Sequence, residues 1–197
     1  MTIKYNSDIH HRQSMRLKGF DYSQAGAYFV TVCIQNRICL FGKIEGGEIH
    51  LNEAGYMVHR IWNELPEKYP GVEIDEFIVM PNHIHGIVVL NVGAGPCACP
   101  DANKGQPKVE GQPRGVAPTR LSLPDVVHRY KSFTTSEYRI GVEQFNWMPF
   151  PCKLWQRNYY EHIIRNDAEM NRIREYILNN PLQWDSDSEN PKNMKGL

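Results

Sequence analysis

The chain has 197 residues, 41% of them hydrophobic, which is enough apolar side chain for one globular domain with its own core. Its 22 basic and 22 acidic side chains cancel, so a bulk positive field is excluded and any nucleic-acid binding must come from local patches. No apolar stretch approaches the roughly 18 residues of a membrane span and no charged-then-apolar leader is present, so no membrane association is expected. The five cysteines, Cys33, Cys39, Cys97, Cys99 and Cys152, are odd in number and form no C-x-x-C pair, the usage of a reduced, cytoplasmic protein.

Residues 1–18 are polar, rich in His and Arg and without a period, and read as an extended arm preceding a single domain over 19–184. Ala27 to Ile34 has the β-branched and aromatic density of a central strand. Leu40 to Ile44, Gly46-Gly47 and Glu48 to Leu51 read as a hairpin. Asn52 is placed to cap a helix in which Met57, Val58, Ile61, Trp62 and Leu65 recur at three- and four-residue spacing. Two apolar runs follow, Val72 to Met80 and Ile87 to Leu90, broken by the turn formers Pro81 and Asn82. At the head of the second run stand His83 and His85, and side chains two apart on a strand share a face. Two imidazoles on one face are two parts of a transition-metal site, and equally a partly exposed strand end.

Residues 92–119 lose nearly all large apolar side chains and read as a flexible insertion, in which the one-residue gap between Cys97 and Cys99 is wrong for a zinc site. Helical spacing returns from Leu121 to Tyr138 through Val126, Val127, Tyr130 and Phe133. Leu154 to Arg165 reads as the last strand with its lead-in. Asn166 or Asp167 then caps a final helix to about Asn179, ahead of Pro181. On that helix Met170, Ile173 and Ile177 form the buried stripe, with Arg172, Tyr176 and Asn180 along its edge. Residues 183 onward look frayed, and 185–197 are a tail. The element order fits an α+β fold with a ferredoxin-like or RNA-recognition-like antiparallel sheet, helices packed on one face and an extra C-terminal helix.

Three strings carry a more specific resemblance: MPNHIHG at 80–86, WQRNYYEHIIR at 155–165 and REYILNNP at 174–181. Over roughly residues 20 to 184 the chain resembles the REP-associated tyrosine transposases, single-tyrosine enzymes whose metal-binding motif is His, a bulky apolar residue, His. The resemblance implies a metal-dependent enzyme that cleaves and rejoins single-stranded DNA, at hairpin repeats, through a covalent 5′-phosphotyrosine. It implies Tyr176 as nucleophile and His83 and His85 as ligands of Mg2+ or Mn2+, with Asn180 at the place where many relatives carry a glutamine ligand. Relatives that mobilise insertion sequences are dimers, which admits a homodimer here. Arg172, Arg165, Arg157 and Lys131 are the basic groups expected against phosphates, and Tyr160, with Tyr159 and Trp155, the aromatics available to stack on unpaired bases. A domesticated, catalytically inactive hairpin-binding protein is the alternative. An RNA-binding module of the same fold would need a glycine-containing aromatic motif that is missing, and a histidine-triad hydrolase would need a third alternating histidine where Ile87 stands.

Overall fold

The structure, a computed structural model, describes residues 19–91 and 121–193. The expected arm and insertion therefore lie outside the described residues. Strand β5 (His83–Leu90) is buried almost throughout because it is an inner strand, flanked by β4 (Val72–Val79) and β1 (Gly26–Cys33). A last strand, β6 (Tyr160–Ile164), pairs with the other side of β1, so one antiparallel sheet runs β4-β5-β1-β6. The hairpin of β2 (Gly42–Glu45) and β3 (Glu48–Leu51) is a separate two-stranded sheet.

Alternation along β1 and β5 sorts the two faces. On one, Tyr28, Val30 and Val32 of β1 and Ile84 and Val88 of β5 meet Val58, Ile61 and Trp62 of α1 (Glu53–Asn63) and Val126, Val127, Tyr130 and Tyr138 of α3 (Leu123–Phe145). This is the main core. A short helix α2 (Leu65–Lys68) follows α1. On the opposite face Phe29, Ile87 and Ile164 meet Ile177 of α4 (Asp167–Asn179), with Met170 and Ile173 at the margin. The helices α1 and α3 thus share one face, and the extra C-terminal helix covers the other.

Local chemistry sets the helix ends. The Asn52 side chain accepts the Gly55 amide, the Asn166 side chain accepts that of Glu169, and Ser122 with Asp125 forms a capping box for α3. Helix α3 continues past Tyr138 to Phe145, where Asn146 takes a left-handed conformation that ends it. Phe133, expected on the buried stripe, is exposed, and Thr134 takes the inward place. That hydroxyl is satisfied there, donating to the Tyr130 carbonyl and accepting from Trp155 Nε1.

Two segments differ from the sequence reading. The last strand is only Tyr160–Ile164, while Trp155 makes a single bridge to Ile34 and its ring is buried in the main core. Residues from 183 on, expected to fray, are instead ordered as far as Asn193: Pro181–Ser186 and Pro191–Asn193 form two 3-10 turns, and the connection between them lies against the histidines. Polar contacts hold the segment there: Asn82 donates to the Glu189 carbonyl, and Arg37 holds the Glu189 carboxylate.

Candidate metal and tyrosine site

The register of the sheet assembles the site. Thr31 stands opposite His85 and Cys33 opposite His83, all on the face covered by α4. Both imidazoles are buried, and their Nε2 atoms face one another at 3.0 Å.

Their second nitrogens are held by partners on the same strands and turn. His85 Nδ1 shares a hydrogen bond with Thr31 Oγ1 at 2.8 Å. Asn82 Nδ2 donates to two carbonyls, Arg37 at 2.9 Å and Glu189 at 2.8 Å, so its oxygen is the atom turned to His83. His83 Nδ1 must then be the protonated nitrogen, donating to Asn82 Oδ1 at 2.8 Å. A neutral ring protonated at Nδ1 carries its lone pair on Nε2, aimed into the site.

Burial depresses the basicity of both rings: it carries His85 down to about 3, and for His83 the neighbouring His85 and Arg37 add to the effect. Both are therefore neutral at physiological pH, the form in which imidazole ligates. Asp187 completes a cluster of three donors whose ligand atoms lie within 4.8 Å of one another, its Oδ2 being 3.7 Å from His83 Nε2. That oxygen is buried without a hydrogen-bond partner, as is Oδ1 of Asn180. Two imidazole nitrogens and the partnerless Asp187 oxygen, with no hydrogen-bond donor turned to that oxygen, are a donor set that suits a divalent cation.

Tyr176 projects from α4 over this cluster. Its ring meets His85 edge-on at 5.2 Å between centroids and Phe29 at 5.9 Å, and it is 42% exposed. Burial raises the phenol pKa, the Asp187 carboxylate raises it further, and the Asn180 side-chain amide opposes them. On the far edge of the sheet Arg174 grips Asp75 with two hydrogen bonds of 2.7 Å, tying the tyrosine's helix to β4. A concavity of about 590 Å3 opens beside Tyr176, lined among others by His85, Tyr160, Gln156, Arg37 and Asp187.

The other expected site residues divide. Tyr160 is exposed on this face and forms a wall between that concavity and a smaller one containing Arg172 and His162. Arg157 and Arg165 are exposed and line neither. Lys131 Nζ is taken up by the carbonyls of Gln156, Arg157 and Asn158 and lies over the Tyr159 ring, so it braces the lead-in to β6. Asn180 is buried next to Tyr176, and among the His, Cys, Asp and Glu of the described residues the third donor with the histidines is Asp187. Sequence reasoning missed Thr31, Arg37, Asn82, Asp187 and Glu189. One signal was available: Thr31 is a polar residue in the middle of the apolar run Ala27 to Ile34.

Fold and site together define an α+β protein in which an inner strand presents a His-x-His pair beneath a helix-borne tyrosine. The chain belongs to the same family as an uncharacterized protein of Haemophilus influenzae, to which it is 41% identical over 189 residues, 95% of this chain and 97% of that one. Among solved structures it is similar to a REP-associated tyrosine transposase bound to a REP hairpin, with 19% identity, a TM-score of 0.47 and coverage of 85% of this chain and 73% of that one. It is also similar to a candidate transposase of Deinococcus radiodurans, with 16% identity, a TM-score of 0.42 and coverage of 83% and 95%. No protein-family model matches the sequence.

Proposed function

We propose that the protein is a metal-dependent tyrosine transposase that cleaves and rejoins single-stranded DNA at hairpin repeats. The observation that carries the reading is the convergence on one sheet face of the Nε2 atoms of His83 and His85 and the Tyr176 ring, 5.2 Å from that of His85.

In this reading the Tyr176 oxygen attacks a backbone phosphorus. The bond to the 3′ oxygen breaks as the bond to tyrosine forms, and the phenolic proton ends on the released 3′ hydroxyl. A 5′-phosphotyrosine conserves the bond, so rejoining is the reverse reaction and needs no ATP. A phenol whose pKa is held above its ordinary value is a weak nucleophile at neutral pH, so positioning and charge must supply the acceleration. His83, His85 and Asp187 would hold Mg2+ or Mn2+, with Asn180, next to Tyr176, the further oxygen that the resemblance implies. The ion would supply Lewis-acid polarisation of the phosphate when bound. Tyr160 offers a stacking face next to Tyr176, and Arg172 a phosphate contact beyond it.

The test is incubation of the protein with single-stranded oligonucleotides from repeats flanking its own gene, with Mg2+ or Mn2+. A denaturant-resistant protein–DNA adduct is expected, absent in Tyr176→Phe. Hairpin binding with no adduct under either metal would instead identify a catalytically inactive binding protein.

A further inference from the structure

Residues 181–193 are held beside the histidines by a polar junction, with the Trp184 ring 6.1 Å from that of His83. Arg37 Nε donates to Glu189 Oε2 at 2.6 Å and Nη2 to Oε1 at 3.0 Å, a two-pronged pair that spans most of the chain. The same Asn82 amide that fixes the His83 tautomer donates to the backbone carbonyls of both members, so one side chain grips Arg37, Glu189 and His83 together. Asn36 and Arg37 have φ of 61° and 54°, a left-handed conformation that side-chain-bearing residues adopt at a cost and that tends to mark functional positions.

What the junction holds is Asp187. The Glu189 amide donates to Asp187 Oδ1 at 2.7 Å, which turns Oδ2 toward His83 Nε2 and leaves it buried without a partner. We infer that the Arg37–Glu189 pair is a clasp that positions Asp187 as an oxygen ligand of a divalent-cation site with His83 and His85, so that cation binding and docking of residues 181–193 depend on one another. The inference rests on the metal reading above. Arg37 and Glu189 are positioning residues, since neither contributes a donor to the cluster. Because coupling between binding and docking is reciprocal, a cation that gains affinity from the docked segment must also hold that segment down.

The experiment measures Mn2+ binding to the full chain by the loss of the free-ion electron paramagnetic resonance signal, together with proteolysis of residues 181–193 with and without Mn2+. Asp187→Asn, Glu189→Gln and Arg37→Met are expected to bind Mn2+ about 10- to 100-fold more weakly than the wild type, the range typical of lost outer-shell or ligand support. Mn2+ should protect the segment in the wild type and not in Glu189→Gln. Melting without metal checks that each variant is folded, and Arg37→Lys, which keeps the charge, should restore part of the affinity. A merely structural clasp would lower the melting temperature and leave Mn2+ affinity alone. Wild-type affinity, or tighter binding, in folded Glu189→Gln and Asp187→Asn overturns the clasp while the metal reading stands. A wild type that binds no more Mn2+ than His83→Ala overturns both.

Discussion

The Asn82 side-chain oxygen accepts a hydrogen bond from His83 Nδ1 at 2.8 Å, and it can do so only because its nitrogen is committed to the Arg37 and Glu189 carbonyls. One amide therefore sets the tautomer of a candidate ligand, His83, and the position of two distant chain segments.

Asn82→Asp should undo both effects. A carboxylate in that place faces two carbonyl oxygens with no donor, which costs about 1–3 kcal/mol for each group left unsatisfied. It also sets a negative charge against His83 and stabilises the imidazolium, which cannot ligate. The expected outcome is a loss of several kcal/mol in urea denaturation and a rise in the His83 pKa, visible in the pH dependence of its ring NMR signals. An unchanged ring titration would contradict the tautomer assignment.

The pH dependence of the metal-free protein follows from the same rings. In the folded state both histidines lie below their ordinary pKa of 6.5, mainly through burial. Above 6.5 neither the folded nor the unfolded chain holds the proton, and there is no penalty. Below 6.5 the unfolded chain takes up protons that the folded chain refuses, so stability falls with pH, by up to about 1.4 kcal/mol per pH unit per histidine. Asp187, raised by burial, pulls the other way but is one group against two, while Asp75, Glu64 and Asp125, all lowered by their partners, act only at more acid pH. Melting temperature should therefore drop steadily from pH 6.5 to 5. His85→Leu should flatten the slope, and an equally steep slope in that variant would exclude His85 as its source.

The legible parts of the site were those that local pattern controls. His83 and His85 share a face because of strand periodicity, and Tyr176 and Asn180 lie together because they are four apart on a helix. Arg174 stands two residues before Tyr176 in the sequence, yet its partner Asp75 lies in the β4 irregularity between Ile74 and Phe77, which no period announces. Asp187 and Glu189 could not be read at all. Their run, DSDSEN, has the composition of a solvated tail, and it is ordered by Arg37 and Asn82, residues far upstream whose partners only the fold reveals. Lys131 reads as a phosphate contact from its polar helix position, and the carbonyls that occupy it are backbone groups, invisible to side-chain pattern.

Gly86 separates the histidine strand from the main core, and its requirement is steric. A Cβ there would fall 2.5 Å from Trp62 Cζ2 and 3.0 Å from Phe77 Cδ2, and these two rings are stacked at 4.6 Å, so neither can withdraw freely. Gly86→Ala should destabilise by about 1–3 kcal/mol, the usual cost of overpacking. Because the clash is on the face opposite the imidazoles, Mn2+ affinity of the folded variant should stay within about threefold of wild type, less than about 0.7 kcal/mol. Denaturation melts and a Mn2+ titration on the same sample check the two halves of this expectation.

Tyr176 is distinguished from its rivals by where each hydroxyl stands. Tyr138 is buried on the opposite side of the sheet, donating to the Met148 carbonyl, and cannot reach the histidines without unfolding α3. Tyr160 shares the concavity, but its described ring contact is with Phe29, whereas Tyr176 packs against Phe29 and His85 alike. Removing only the Tyr176 hydroxyl keeps those ring contacts, so Tyr176→Phe should stay within about 0.5 kcal/mol of wild-type stability and bind Mn2+ normally. Its covalent attachment to single-stranded DNA should fall below detection, while Tyr160→Phe should retain the adduct with at most a modest loss of rate, since the stacking ring remains. Mass spectrometry of the wild-type adduct after nuclease digestion should place a 5′-phosphonucleotide on the peptide containing Tyr176. A modified Tyr160 peptide, or an adduct that persists in Tyr176→Phe, would transfer the nucleophile's role to the other wall of the concavity.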